Sequence, residues 1–363
     1  MKALLRDAGI QLAVSAAAVL LALVAGAIFI AFLGKNPFAV YATLLEGSIL
    51  HSDRTQWYGL GQVLYKATTL IFTGAAVALS FRTGLFNIGA EGQMYLGGFC
   101  AAVAGLYLFP VETTSAWVMP VCILAAFVGG AAGAVVPAIL KATRGTHEVI
   151  VTMMMNFIIV AVVNWITGRI AEEETTHTWE LPACARLSGF GPSFAGSAAT
   201  TAFWYAIVAA CAATWLLSRT RAGFEMRAVG FNAPAAEANG VRIRWTMCLA
   251  LLLSGGLAGL GGINFVLGNK GYFDKGFTAG AGFLGIAVAL LARNHPLAVV
   301  PAAFLFAVLS EGAVAVNTGA ESVKVPRELF DILQAIIILF VVVMAILLQK
   351  GLAALQKRRA AGA

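Results

Sequence analysis

Roughly ten apolar stretches, each close to the length of a membrane crossing, follow one another along the chain with short polar segments between them. A helix needs about 20 apolar residues to cross the hydrocarbon core. Helices close their own backbone hydrogen bonds in lipid, so this pattern predicts an all-α polytopic membrane protein. The spans fall near 10–33, 60–80, 88–108, 117–140, 147–168, 200–218, 245–268, 277–292, 297–316 and 328–349. The chain is 60% hydrophobic and only 11% charged, against about 25% charged residues in soluble domains. The eighth span is short, and Gly276, Gly280, Gly282 and Gly285 interrupt it. It reads as a broken or re-entrant element as readily as a full crossing. The first run is longer than a signal-peptide core, so it reads as a retained span.

The charges test this layout. With the N-terminus inside and ten crossings, 15 of the 24 Lys and Arg residues fall on inside segments and 8 on outside ones, although the outside segments are longer. That bias is the positive-inside pattern. It places both termini in the cytoplasm and turns the net charge of +7 into a topology signal, with no need of nucleic acid as a partner. The largest inside segment is 219–244, and 169–199 is an external loop containing Glu172, Glu173, Glu174 and Glu180. The spans at 60–168 and 245–349 form two four-helix blocks around a central helix at 200–218. An odd offset between them would make the blocks inverted repeats, as in many transporters.

Signatures of enzymes are missing. The sequence has no G-x-x-x-x-G-K-[ST], no H-E-x-x-H and no G-x-S-x-G. The five cysteines are scattered without metal spacing and read as small packing residues. The glycine-rich run at 255–262, like Gly129 and Gly133, lies in an apolar span, where small residues let helices approach closely.

Three stretches depart from lipid chemistry. In FRTGLFNIGAEGQ (81–93), Asn87 can cap a following helix with Glu91 in its first turn. The stretch is either a capped cytoplasmic helix start or an irregular membrane element beside a pathway. In GTHEVIVTMMMNFI (145–158), Glu148, Thr152 and Asn156 recur every four residues on one helix face. That face either lines a substrate path or holds the bundle by interhelical hydrogen bonds; Met153, Met154 and Met155 add adaptable surface. Asn264 in the seventh span joins Asn87, Glu91, Glu148, Thr152 and Asn156 as a candidate for the path. In 219–244, Asn232 suits an N-cap, Pro234 a first turn and Gly240 a stop, which predicts a short helix over about 233–239. Gly230 suits the turn before it. A helix this short needs a groove to lie in.

Together these stretches, with GFTAGAGFLGIAVALLARNHPL (276–297), resemble permease subunits of bacterial ABC importers. The likeness is to the branch of ribose, branched-chain amino acid and nucleoside permeases, and within it to the nucleoside, or basic-membrane-protein, sub-branch. It runs from about residue 60 to 345. The resemblance implies that 1–363 is one transmembrane permease domain in the bacterial inner membrane. It implies a second related permease (or a copy of this chain), two ATPase subunits inside and an extracytoplasmic substrate-binding protein outside. ATP would be hydrolysed by the partner, and this chain would bind no cofactor or metal of its own and be no enzyme itself. Gly223, Glu225, Arg227, Gly230, Asn232, Pro234, Ala236, Glu237 and Gly240 match the family's coupling loop. Nucleosides are the substrate class implied, with simple sugars or other small solutes as alternatives.

Two other functions compete. A stand-alone carrier driven by protons or sodium would usually place a carboxylate or His in mid-span; Lys66 and Glu311 come nearest. A membrane-embedded enzyme would need a cluster of His, Asp or Cys that the sequence does not offer.

Overall fold

The computed structural model describes residues 17, 19–50, 57–109, 115–172, 175–194, 196–321, 323–326, 328–340 and 343. The start of the first predicted span, the end of the last, both termini, and Glu173 and Glu174 lie outside these residues. Most of the described residues are helical, with three isolated β-bridges and no strand among them. The helices are α1 (Val19–Phe32), α2 (Pro37–Leu45), α3 (Tyr58–Arg82), α4 (Ala90–Tyr107), α5 (Val118–Arg144), α6 (Glu148–Ile170), α7 (Ala202–Arg219), α8 (Arg221–Phe231), α9 (Ala233–Ala238), α10 (Ile243–Ile263), α11 (Ala281–Leu291), α12 (Val299–Thr318) and α13 (328–340). Among them α3, α5, α6, α7, α10 with its extension, and α12 are long and apolar enough to cross a membrane. The chain forms two compact units, 51–307 and the pairing of 1–50 with 308–363.

In the larger unit α4, α5 and α10 pack on one another, and α3 packs on α10 and α11. Glycine makes the α5–α10 approach possible. A Cβ on Gly130 would stand 2.2 Å from the Gly255 carbonyl oxygen, and one on Gly259 would stand 2.4 Å from that of Ala126. The glycine run is therefore a helix-packing surface. The outer faces of α5, α6 and α7 are apolar and exposed, including Leu124, Ile150, Phe157, Trp165, Val208 and Trp215, as lipid-facing surfaces are. Met153 and Met154 lie on this exposed side, away from the buried Thr152 and Asn156. They do not extend the polar face, because residues one or two positions on along a helix point elsewhere.

In the smaller unit residues 34–50, expected as part of a connection between the first two spans, contain a helix. Gly34 takes a left-handed φ of +73° and α1 ends. Asn36 then caps α2, its Oδ1 accepting from the Phe38 N–H at 3.0 Å, with Pro37 in the first turn. The result is a bend of 119° between α1 and α2. The eighth predicted span contracts to α11. Its 11 residues reach only about 16 Å, half the hydrocarbon thickness. The ten expected full crossings are thus not all present as long apolar helices.

Candidate functional site

The segment 83–89 links α3 to α4 as non-helical backbone, with Thr83, Leu85, Asn87 and Gly89 buried. Such backbone persists in an apolar surrounding only if its polar groups find partners. Asn87 supplies one of them and anchors the segment through its side chain. Its Oδ1 accepts from the Gly89 N–H at 2.9 Å, its amide pairs with that of Gln93, and its Nδ2 donates to Ser254 Oγ at 2.9 Å. Ser254 in turn donates to the Ala76 carbonyl at 2.7 Å. One buried network therefore ties α3, α4 and α10 together.

From α6, Thr152 and Asn156 hold the same segment. Thr152 Oγ1 accepts from the Ile88 N–H at 3.3 Å. Asn156 Oδ1 accepts from the Gly92 N–H and its Nδ2 donates to the Ile88 carbonyl, both at 3.0 Å. Asn156 thereby satisfies a first-turn N–H of α4 that has no partner within its own helix. Glu148 joins this contact through a hydrogen bond from the Phe86 backbone N–H. It pairs with Lys141 at 2.6 Å across the turn between α5 and α6, a turn made at Gly145 with φ +64°.

Glu91 is the pivot of the arrangement. Its side chain leaves the first turn of α4 and reaches the start of α11, where Oε1 accepts from the Gly280 N–H at 2.9 Å and Oε2 from the Gly282 N–H at 2.6 Å. Two helix N-termini thus meet at one buried carboxylate. A Cβ on Gly282 would stand 2.4 Å from the Glu91 backbone, so only glycine permits the approach.

Asn264 opens a π-helical extension of α10, 264–270. Its Nδ2 donates to the Tyr65 carbonyl at 2.8 Å and to Thr69 Oγ1 at 2.9 Å, while its buried Oδ1 has no partner. Beyond it the chain unwinds through 271–280, and the loop between α6 and α7 supplies backbone bonds to this stretch and to the end of the extension. Leu187, Leu181 and Thr178 donate N–H bonds to Leu267, Gly271 and Phe273 carbonyls at 2.7, 2.7 and 2.9 Å. The loop is therefore part of the packed structure.

Sequence reasoning missed the group beside this stretch. Tyr95 donates to Asn164 Oδ1 at 2.5 Å and accepts from the Gly276 N–H at 3.1 Å. Phe277 stacks between Tyr95 and Phe265, at centroid distances of 5.5 and 4.8 Å. The signal available was Asn164, two turns beyond Asn156 on the same face of α6.

The segment 219–244 folds as two short helices. Thr220 caps α8, accepting from the Gly223 N–H at 3.1 Å, and a Cβ on Gly223 would meet the Leu216 carbonyl oxygen at 2.0 Å. Glu225 pairs with Arg221 at 2.9 Å, and Arg227 donates to the Leu217 carbonyl. Asn232 caps α9 by accepting from the Ala235 N–H at 3.1 Å, and Pro234 sits in the first turn. Gly240, at φ +83°, ends the helix with bonds from Gly240 N–H to the Glu237 carbonyl and from Val241 N–H to the Ala236 carbonyl, a Schellman stop.

Two expectations change here. Gly230 makes no turn, because it lies within α8 where a Cβ would stand 2.3 Å from the Arg82 carbonyl oxygen. Its role is close approach to the end of α3. Ala236 is 5% exposed because α9 rests on α8 and α10. A two-turn helix has one buried side, and Ala236 is on it; Pro234, Ala235, Glu237 and Ala238 form the free side.

Among the described residues no three His, Cys, Asp or Glu side chains gather as metal ligands. The arrangement binds backbone to backbone and positions two interrupted helices. A match to the family described as "Branched-chain amino acid transport system / permease component" covers residues 59–342. The chain belongs to this family. It is a permease component of an ABC transporter, a membrane protein whose work is transport. The permease is 37% identical to the guanosine ABC transporter permease protein NupP of Bacillus subtilis, over 89% of this chain and 91% of that one. It is 34% identical to the glucose ABC transporter permease protein TsgB13 of Haloferax volcanii, over 89% and 85% of the two chains. With the nucleoside ABC transporter permease protein NupB of Lactococcus lactis it shares 32% identity, over 88% and 87%.

Proposed function

We propose that this permease forms the path by which nucleosides are imported, with ATP hydrolysed on a separate subunit. The observation that carries this reading is the 37% identity to the guanosine permease over nine-tenths of both chains. A simple sugar is the second reading, favoured by the likeness to the glucose permease. Both solutes present a hydroxylated ring. In cells carrying the permease with its neighbouring transporter subunits, labelled guanosine uptake should be saturable and competed by other nucleosides. Uptake of glucose with no uptake of guanosine would replace the first reading with the second.

The chain is one permease domain with ten membrane-embedded elements: the bent α1–α2 pair, α3, α4, α5, α6, α7, α10, α11, α12 and α13. The blocks α3–α6 and α10–α13 form an inverted repeat around α7. Supporting this, α4 and α11 hold the same place in their blocks, each follows irregular backbone, and their N-termini meet at Glu91. Asn87, Glu91, Thr152 and Asn156 position the interrupted helices beside the path, Asn264 offers an unpartnered acceptor near it, and Glu148 stands at its inner end.

Both termini are cytoplasmic in the bacterial inner membrane, so 219–244 faces the ATPase subunits and 169–199 the extracytoplasmic binding protein. A second, related permease or a copy of this one completes the pore. The exposed side of α9, framed by Gly223, Glu225, Arg227, Gly230, Asn232, Pro234, Glu237 and Gly240, docks in the ATPase, with Ala236 supporting it from beneath. No cofactor is bound by this chain. Cysteines introduced at residues 180 and 355 should label from opposite sides; labelling from one side would refute the even number of crossings.

A further inference from the structure

Arg82 at the end of α3, Arg227 on α8 and Arg293 after α11 line one cavity of about 200 Å³, together with Asn294, Phe81 and Phe231. No carboxylate lines it, and none of the three arginines is ion-paired among the described residues. Arg82 Nε donates to the Asn294 carbonyl at 2.7 Å and Arg227 donates to the Leu217 carbonyl. Those bonds fix the guanidinium groups in place without neutralising them. Arg293 Nη1 and Asn294 Oδ1 are buried with no partner. Arg293 and Asn294 also hold left-handed backbone, φ +52° and +57°, an unfavourable state for side-chain-bearing residues. Three uncompensated cations and an unused buried donor are the complement of a compact anion with several acceptor oxygens.

The surroundings indicate which anion. The cavity sits where α3 ends, at the edge of the apolar zone, and Phe231 at its margin is 88% exposed. An exposed apolar ring beside cations suits the boundary between acyl chains and headgroups, and basic pockets between transmembrane helices on the cytoplasmic side take anionic head groups. We propose that this pocket binds the phosphate of an anionic phospholipid. The proposal rests on the reading that 219–244 lies at the inner surface. A bound headgroup would bridge α3, α8 and the turn after α11, and so would set the position of α8, which carries α9.

The full-length permease in detergent would be titrated with phosphatidylglycerol and with phosphatidylcholine, with inorganic phosphate as competitor. Saturable binding of phosphatidylglycerol and weaker binding of phosphatidylcholine are expected. Arg293→Gln and Arg227→Gln should each weaken it on the order of five-fold, the effect of one basic residue at a membrane surface, and Arg293→Lys should retain most of it. Arg227→Gln, outside the strained turn, keeps the test decisive if Arg293→Gln misfolds on size exclusion. Arg221→Gln, on α8 but not lining the cavity, should change nothing. Equal affinity for both lipids, or an equal loss in Arg221→Gln, would overturn the pocket. Full displacement by inorganic phosphate would overturn the lipid as its source, and binding only when an ATPase partner's acidic surface is added would assign it to protein. Labelling of residue 235 from outside would refute the inward orientation separately, leaving the binding result intact.

Discussion

Glu91 Oε2 lies 2.6 Å from the backbone nitrogen of Gly282, and this bond joins the first turn of α4 to the first turn of α11. The other carboxylate oxygen holds Gly280, so one side chain satisfies two N–H groups of a helix start that has no cap of its own. Glu91→Ala would orphan both. Each unsatisfied buried donor costs about 1–3 kcal/mol, so a clear fall in the detergent unfolding temperature is expected. Glu91→Gln, which keeps one acceptor and loses the charge, should fall by less. Wild-type stability in Glu91→Ala would mean that the carboxylate does not hold α11.

Asn156 separates two roles by their readouts. Asn156→Ala removes the partners of the Gly92 N–H and the Ile88 carbonyl together. Stability and transport should fall in parallel, by about 1–3 kcal/mol in the first. Transport lost at unchanged stability and abundance would instead assign Asn156 to direct contact with the solute.

Gly230 and Gly240 are both glycines of 219–244, and for different reasons. Gly230→Ala drives a Cβ to 2.3 Å from the Arg82 carbonyl oxygen. Backbone must move, and a loss of about 1–3 kcal/mol follows from overpacking. At Gly240 nothing lies within 4 Å of the added atom, and the cost comes only from φ +83°, about 1–2 kcal/mol. Gly230→Ala should therefore shift the position of α8, read by crosslinking between cysteines placed at residues 81 and 231, which line one cavity, whereas Gly240→Ala should leave that crosslink unchanged.

Docking of α9 is tested on its free side. Ala235→Trp should leave folding and abundance intact and abolish co-purification of the ATPase. Ala236→Trp should lower abundance as well, since Ala236 is buried in this chain. Full assembly and transport in Ala235→Trp would reduce 219–244 to a connector.

Much of the helical layout was legible in the residues themselves. Apolar length locates helices because each satisfies its own backbone, and the α9 boundaries could be read from Asn232, Pro234 and Gly240 because capping is decided within a few residues. The polar periodicity of Glu148, Thr152 and Asn156 marked a face, and all three reach 83–92, Glu148 through the Phe86 backbone while it also pairs with Lys141. The meeting of Glu91 with Gly280 and Gly282, almost 200 positions away, had no local signature. Nor did the support of 271–280 by the loop between α6 and α7, the burial of Ala236 or the contact of Gly230 with Arg82. Local sequence determines which backbone groups a segment leaves without partners. Which distant side chain or strand of loop satisfies them depends on how the helices pack, and only the tertiary structure decided that.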